Sequence, residues 1–231
     1  MKYKNLIIIG SSHVAQESID LVRKTMELTN PGIIALELDR DRFYSLLQKT
    51  KKARWIRGVG IKGMLFALIG AWIEKKIGKI VNVEPGAEMK MAIELAKQNK
   101  IKIALIDQHI SITLKRFSQS ITWKEKFRFA ADLIIGLFKP IKELQGLTLK
   151  KEDLTKVPSK DVIKKILNYT KKRYPNFHAV LIDERNKVMA NNLASIMKQY
   201  PKENIVAVVG AGHEEEIIKL IKEKLYKAEK N

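Results

Sequence analysis

Residues 6–13 read Leu6-Ile7-Ile8-Ile9-Gly10-Ser11-Ser12-His13, an apolar and largely β-branched run that ends at a glycine. A continuous apolar run without polar alternation is typical of a strand that is buried on both faces of a sheet. Apolar residues then recur at helical spacing until a helix-breaking segment at 30–32. Residues 33–38 predict a second buried strand, and because a helix connects the two strands, we expect them to pair in parallel.

The alternation of helix and strand recurs twice further along the chain. A helical pattern over 86–100 leads into a predicted strand at 101–106. A second helical pattern over 184–200 leads into a predicted strand at 205–209, and a closing helix follows it. Four buried strands separated by helices predict an α/β fold, with a mostly parallel central sheet flanked by helices.

Two stretches interrupt this alternation, and we expect them to be mainly helical insertions at 49–80 and 113–178 within one domain of residues 1–231. Each insertion contains an apolar band, at 64–69 and at 133–138. Three interpretations of the bands stay open. They pack internally, they form the interface of a homodimer, or they contact a membrane surface.

The composition restricts the classes of function. The chain has 44 basic and 25 acidic residues and a formal net charge of +19, but no recognised nucleic-acid motif accompanies the charge. We therefore expect no nucleic-acid partner and interpret the lysines as a solvated surface of the kind found in heat-adapted proteins. The absence of cysteine excludes disulfides and thiolate metal sites.

No segment of the sequence reads as a targeting or membrane-spanning signal. The chain enters its first strand too early for a signal peptide. Its longest apolar window, 63–73, is about half of the ~20 residues that a spanning helix needs. We expect a cytoplasmic protein, with peripheral attachment to a membrane as the alternative.

Polar side chains follow each predicted strand. In a parallel α/β sheet, ligands bind outside the carboxyl ends of the strands, so these residues are candidates for one shared site. In chain order they are Ser11, Ser12, His13, Glu37, Asp39, Arg42, Asp107, His109 and His213.

Two of these histidines, His13 and His213, each close a Gly-x-x-His turn after the first and last predicted strands. Neutral imidazole and carboxylate are suitable ligands for zinc, manganese or cobalt ions. An ion with an open position lowers the pKa of its bound water, while a second carboxylate acts as general base and an arginine stabilises the oxyanion.

A structural interpretation stands beside the catalytic one. Either Gly-x-x-His turn alone also fits a strand end with a capping histidine. Glu37 lies within an apolar strand, where an unpaired carboxylate is costly. A buried ion pair of Glu37 with Arg40, Arg42 or Arg185 is therefore the alternative to a ligand role.

Several short motifs along the chain resemble those of the TraB family when they are taken in order. That family is grouped with the pheromone-shutdown proteins and the Tiki-type metalloproteases, and more widely it resembles the erythromycin esterases. The resemblance covers most of the chain, with the helical insertions least characteristic. The motifs lie at residues 10–14, 31–42, 86–89, 106–107, 113–116, 183–186, 189–190 and 208–213.

The resemblance implies a divalent-metal hydrolase site. Its metal ligands would be His13, Glu37 and His213, and its catalytic residues would be Glu184, Arg185 and Arg116. To substrate binding we assign polar residues at the same strand ends, namely Ser12, Asp39, Arg42 and Asp107. Gln108 departs from the family pattern, where an arginine is expected after Asp107, which puts one substrate or anion contact in doubt.

The function implied by the resemblance is a metal-dependent peptidase or related amide hydrolase that acts on peptides or small proteins with Mn, Co or Zn. Two alternatives belong to other classes. One is a non-catalytic protein that binds or sequesters a pheromone-like peptide. The other is a membrane-surface scaffold or dimerisation module that uses the apolar bands.

Overall fold

One sheet of five strands lies at the centre of the structure, a computed structural model that describes residues 1–12, 16–48, 86–138 and 159–230. The spatial order of the strands is β1-β2-β5-β3-β4. The first strand is an antiparallel edge, and the other four are parallel to one another. The strands are β1 (Lys2–Tyr3), β2 (Leu6–Ser11), β3 (Ile33–Leu36), β4 (Lys102–Leu105) and β5 (Ile205–Gly210).

Helices surround this sheet and fill the connections between its strands. The segment from 175 to 199 runs as one helix that passes through a π-helical turn, because the residues on both sides of that turn keep right-handed helical backbone angles. The helices are α1 (Gln16–Thr29), α2 (Arg40–Gln48), α3 (Ala87–Gln98), α4 (Ile110–Ser120), α5 (Trp123–Phe138), α6 (Lys160–Arg173), α7 (Pro175–His178), the π-helical turn (Ala179–Asp183), α8 (Glu184–Gln199) and α9 (Glu214–Lys230).

The central strand β5 shows how the sheet divides the core into two layers. Side chains alternate between the faces of a strand, so Ile205, Ala207 and Val209 pack with the apolar residues of α8 and α9. Val206 and Val208 point the other way and pack with α1 and α3. All five side chains are fully buried, which explains why β5 is a continuous apolar run.

The carboxyl ends of the four parallel strands meet at one edge of the sheet. Ser11 of β2 lies opposite Gly210 of β5, and Leu36 of β3 lies opposite both Val208 and Leu105. The two Gly-x-x-His turns therefore begin on neighbouring strands, although their sequence positions are far apart. A Cβ atom at Gly10 would lie 2.8 Å from Glu214 Oε2 and 3.1 Å from Ala211 Cα, so this close approach of the two strand ends needs a glycine.

A polar and aromatic junction anchors the helices that follow β4. Arg173 donates from its Nε to the carboxylate of Asp132 in α5 at 2.6 Å, and the hydroxyl of Tyr174 donates to the same carboxylate. Next to it, the rings of Phe117, Phe129, Tyr174 and Phe177 contact one another at centroid distances of 5.4–6.5 Å. The junction holds the start of the long helix 175–199 and thus the segment that leads to Arg185.

The predicted α/β fold with a mostly parallel sheet and flanking helices is confirmed, with three differences in detail. The strand predicted at 33–38 ends at Leu36, because the chain turns where Leu38 N donates to Leu36 O at 2.7 Å. The sequence pattern missed the edge strand β1, which is only two residues long. Helix α4 begins at Ile110, before the predicted insertion, because His109 Nδ1 caps it by accepting from Ser111 N.

The insertions are described only in part. The predicted insertion at 49–80, including its band at 64–69, lies outside the described residues, as do the side chains of 133–138. Where the structure describes 113–178, that segment is mainly helical. The domain limits and the role of the apolar bands stay predictions. Within the described ranges, no helix has both the length and the apolar character needed to cross a bilayer.

Candidate functional site

Glu37 is a deeply buried acidic residue at the carboxyl edge of the sheet. It follows the last residue of β3, and its backbone N–H still donates to Val208 O of β5 at 3.1 Å. Its side chain is only 3% exposed. Oε2 accepts from the backbone N–H of Gly210 at 2.5 Å, and Oε1 accepts from Arg185 Nη2. The buried ion pair that the sequence left open is therefore present, and its partner is Arg185.

Arg185 lies in the first turn of α8 and contacts two buried carboxylates. Besides its pair with Glu37, its Nη2 donates to Asp107 Oδ2 at 2.7 Å, and its Nε lies 3.2–3.3 Å from both oxygens of Asp107. Burial alone lowers the pKa of the guanidinium, but the charges of Glu37 and Asp107 outweigh it and raise that pKa above its ordinary value. Arg185 is thus a permanent cation inside the site.

His213 reaches the same point from the turn after β5. The residue is 5% exposed, and its ring Nδ1 lies 2.6 Å from Asn186 Oδ1. Its Nε2 lies 3.6 Å from Glu37 Oε1 and 3.4 Å from Arg185 Nη1. The structure therefore brings together three of the predicted site residues that come from separate elements, Glu37, Arg185 and His213.

Asp39, Arg42 and Asp107 extend this group of charges along the edge. Arg42 donates from Nε to Asp39 Oδ2 at 3.0 Å and from Nη2 to Asp107 Oδ2. Asp39 also accepts from the backbone N–H of Ile110 at 3.1 Å. The side chains of Asp39 and Asp107 are 4% and 1% exposed, whereas that of Arg42 is 28% exposed. Of these three predicted substrate-binding residues, Arg42 is the accessible one.

Three carboxylates and two guanidinium groups form one connected network at this edge. The carboxylates belong to Glu37, Asp39 and Asp107, and the guanidinium groups belong to Arg42 and Arg185. Each guanidinium bridges two carboxylates, so every acidic side chain of the network has a cationic partner.

Glu184 and Arg116 form a second, more exposed pair. Arg116 Nη2 donates to Glu184 Oε1 at 2.7 Å, and Nε donates to Oε2 at 3.2 Å. Their side chains are 30% and 50% exposed, and the hydrogen bond that Arg116 donates to Glu184 raises the pKa of Arg116. These two predicted catalytic residues thus bind each other at the surface, and Glu184 directly precedes the buried Arg185 in the sequence.

The remaining predicted residues have different outcomes. Ser12 follows β2 at the same edge, where its backbone N–H donates to Ser18 Oγ at 2.9 Å. His13 lies outside the described residues. Gln108, which replaces the expected arginine, still contacts Asp107 because its backbone N–H donates to Asp107 Oδ1 at 2.8 Å. Its side-chain amide is bound to Thr113 Oγ1 instead.

Asn186 contacts the site, although the sequence analysis assigned it no role. It is 1% exposed and occupies the start of the buried stripe of α8, followed at helical spacing by Met189, Ala190 and Leu193. An amide at the apolar position of a helix is the sequence signal that identifies it. Within the described part of the chain, its buried Nδ2 has no hydrogen-bond partner, which costs roughly 1–3 kcal/mol.

The metal prediction can be compared with the described residues only in part. These residues include no group of three or more His, Asp or Glu side chains arranged to hold an ion. Two of the predicted ligands, Glu37 and His213, do lie together, and they supply the carboxylate and imidazole donors that Mn, Co and Zn accept. The donor types fit such an ion, and the predicted third ligand is His13.

Comparison with known proteins agrees with the resemblance in the motifs. The chain is 36% identical over 222 residues to an uncharacterized protein of Methanocaldococcus jannaschii, covering 94% of this chain and 53% of that protein. It is 24% identical over 237 residues to the human TraB domain-containing protein and to the one from Bos taurus, covering 89% of this chain. The chain spans about half to three-fifths of the length of these relatives. The sequence profile of the TraB/PrgY/gumN family matches residues 2–230, and the chain therefore belongs to this family.

Proposed function

We propose that the chain is a metal-dependent hydrolase that cleaves peptide or related amide bonds. The observation that carries the proposal is the position of His213 Nε2, 3.6 Å from Glu37 Oε1, at the buried carboxyl edge of the sheet. These two side chains and His13 would hold a divalent ion, Mn, Co or Zn. When bound, such an ion polarises a carbonyl group and lowers the pKa of a coordinated water.

The protein residues around Glu37 supply orientation and charge. Asp107 binds Arg185 through both of its carboxylate oxygens, which fixes the guanidinium plane inside the site. A fixed guanidinium is suited to stabilise the negative charge that develops on a carbonyl oxygen during hydrolysis.

Glu184 is the proposed general base, and Arg116 is the proposed residue that orients it. Their bidentate pair is accessible to solvent, so an incoming substrate can reach it. Arg42 is, after Arg116, the other accessible arginine, and we propose that it contacts the substrate together with Ser12. Asp39 and Asp107 hold Arg42 in place. The proposed substrate is a peptide or small protein in the cytoplasm.

Metal loading and peptide cleavage test the proposal together. The purified chain is titrated with Mn²⁺, Co²⁺ and Zn²⁺ by calorimetry, and a mixture of peptides is then analysed for products by mass spectrometry. We expect His213→Ala and Glu37→Gln to weaken metal binding at least about 100-fold, because each removes a ligand. Both should abolish metal-dependent cleavage. Circular dichroism confirms that each variant is folded.

The matched control is His109→Ala. His109 lies at the same edge of the sheet, but its Nε2 is bound to Asp41 Oδ2 at 2.9 Å and its side chain is 40% exposed. This variant should bind metal and cleave peptide as the wild type does. Metal binding that is absent, or equal in His213→Ala and the wild type, would contradict the proposal. Peptide binding without metal and without product would favour a non-catalytic peptide-binding protein instead.

A further inference from the structure

We infer that Asn186 is a positioning residue that sets the tautomer of His213. Its Oδ1 lies 2.6 Å from His213 Nδ1 and accepts the proton that Nδ1 carries. A neutral imidazole carries one proton, so His213 Nε2 is left with its electron pair exposed toward Glu37 and Arg185.

The guanidinium group of Arg185, next to Nε2, favours the same tautomer. Arg185 Nη1 lies 3.4 Å from His213 Nε2, and a guanidinium nitrogen can only donate. If Nε2 carried the proton, two N–H groups would face each other. A proton on Nε2 nevertheless has an acceptor available, because Glu37 Oε1 lies 3.6 Å from that nitrogen. The acceptor that Asn186 supplies to Nδ1–H therefore decides which of the two tautomers forms.

The environment of Asn186 shows that the amide does not serve the packing of α8. The residue is fully enclosed at the start of an apolar stripe, and in the part of the chain that the structure describes its Nδ2 donates to nothing. A leucine has a similar shape and has no side-chain N–H group that would need a partner. What a leucine cannot supply is the acceptor for His213 Nδ1–H, and this acceptor is the specific contribution of Asn186.

The consequence for the site rests on the proposed function. A metal-binding histidine commonly donates its second ring N–H to a fixed acceptor, which sets the direction of the electron pair that binds the ion. The Asn186–His213 pair has this arrangement, with Nε2 directed at Glu37. The tautomer itself is a property of the protein without metal, and it can be measured independently of any activity.

Nitrogen NMR of the histidine rings tests the inference. The full chain is labelled with ¹⁵N-histidine, the His213 ring is assigned with His213→Ala, and long-range ¹H–¹⁵N spectra are recorded at pH 8 without metal. The wild type should show Nδ1 as the protonated nitrogen of His213. Asn186→Leu should move the proton wholly or partly to Nε2, whereas Asn186→Asp keeps an acceptor oxygen and should keep the wild-type pattern.

Asn191→Leu is the matched control, because it makes the same change at an exposed position of the same helix. It should leave the His213 signals unchanged. A wild-type ring protonated at Nε2, or an Asn186→Leu ring that keeps its proton on Nδ1, would overturn the inference. If Asn186→Leu does not fold, Asn186→Ala, which also lacks the acceptor, takes its place, and a wild-type ring protonated at Nε2 would overturn the inference in either case.

Metal affinity gives the second readout. Asn186→Leu should bind Mn²⁺, Co²⁺ or Zn²⁺ about 10- to 100-fold more weakly than the wild type, and Asn186→Asp should bind within a few-fold of it. If the wild type binds none of these ions, the proposed function fails while the NMR result for Asn186 stands. Equal affinities of the wild type and Asn186→Leu would limit the role of Asn186 to the metal-free site and overturn its role as a positioning residue for metal binding.

Discussion

Arg185 connects the buried acidic residues of the edge. Its guanidinium contacts Glu37 and Asp107, whose side chains are 3% and 1% exposed. A carboxylate buried without a partner is far more costly than the net gain from a formed pair. The stability of this edge therefore depends on the presence of the Arg185 guanidinium more than on the strength of either ion pair.

Replacing Arg185 with methionine tests this dependence. The change keeps much of the side-chain volume but removes the guanidinium that the buried carboxylates of Glu37 and Asp107 share, so the free energy of unfolding should fall by about 3–5 kcal/mol. Urea denaturation followed by circular dichroism at pH 7 measures the loss. The control is Arg116→Met, which breaks a pair whose arginine is 50% exposed and should leave the unfolding midpoint close to that of the wild type. Equal losses in the two variants would refute this account of the site.

At the scale of elements, the junction between α5 and α6–α7 carries the helix that delivers Arg185. Burial, together with the hydrogen bond to the Asp132 carboxylate, raises the pKa of the Tyr174 hydroxyl from 10.0 to about 12. The hydrogen bond from Arg173 is the main cause that lowers the pKa of Asp132 and keeps this acceptor charged. The junction thus needs Tyr174 protonated and Asp132 ionised.

The pH dependence of stability follows from the sign of the Tyr174 shift. Its folded-state pKa is above the unfolded value, so its contribution is fully present below pH 10 and is lost as the pH rises toward 12. We expect Tyr174→Phe to lower the urea midpoint at pH 8–9 and the difference from the wild type to shrink between pH 10 and 12. Tyr226→Phe, at a 57% exposed position, serves as the control and should keep the wild-type profile. A difference that stays constant up to pH 12 would contradict the proposed role of this hydroxyl.

At the scale of the whole molecule, β5 joins the two halves of the sheet. It pairs with β2 along six residues and with β3 along four, although it is separated from both in the sequence by most of the chain. Both core layers contain its side chains. Without β5, the strands β2 and β3 each lose the partner that joins them in one sheet, and each layer loses part of its apolar contact.

Truncation tests whether the fold needs β5 to join β2 and β3 in one sheet. A chain that ends at Gln199 lacks both β5 and α9, so we expect it to show no cooperative unfolding transition and poor dispersion of its amide NMR signals. A chain that ends at Lys227 keeps both elements, apart from the end of α9, and should unfold cooperatively like the full chain. A cooperative transition in the shorter chain would show that the first strands form a core without β5.

The sequence by itself determined the class of the fold and which polar residues lie at the carboxyl edge of its sheet. Buried parallel strands are continuous apolar runs, a signal that each strand carries alone. The polar residues Glu37, Asp107 and His213 follow those runs directly or after a short turn. Because parallel strands share a carboxyl edge, this local pattern was enough to place the three residues at one edge. The edge strand β1 was not predicted, because a segment of two residues is too short to show an apolar run or an alternation.

Only the tertiary structure decided the order of the strands and the partners of the charges. The pair of Glu37 with Arg185 spans 148 residues, and Arg40 and Arg42 were equally acceptable partners from the sequence. Asn186 reaches His213 only because α8 packs against the turn that carries His213. Local apolar spacing specifies helices and strands, but contacts between distant side chains depend on how the layers pack, and a single sequence does not show that packing.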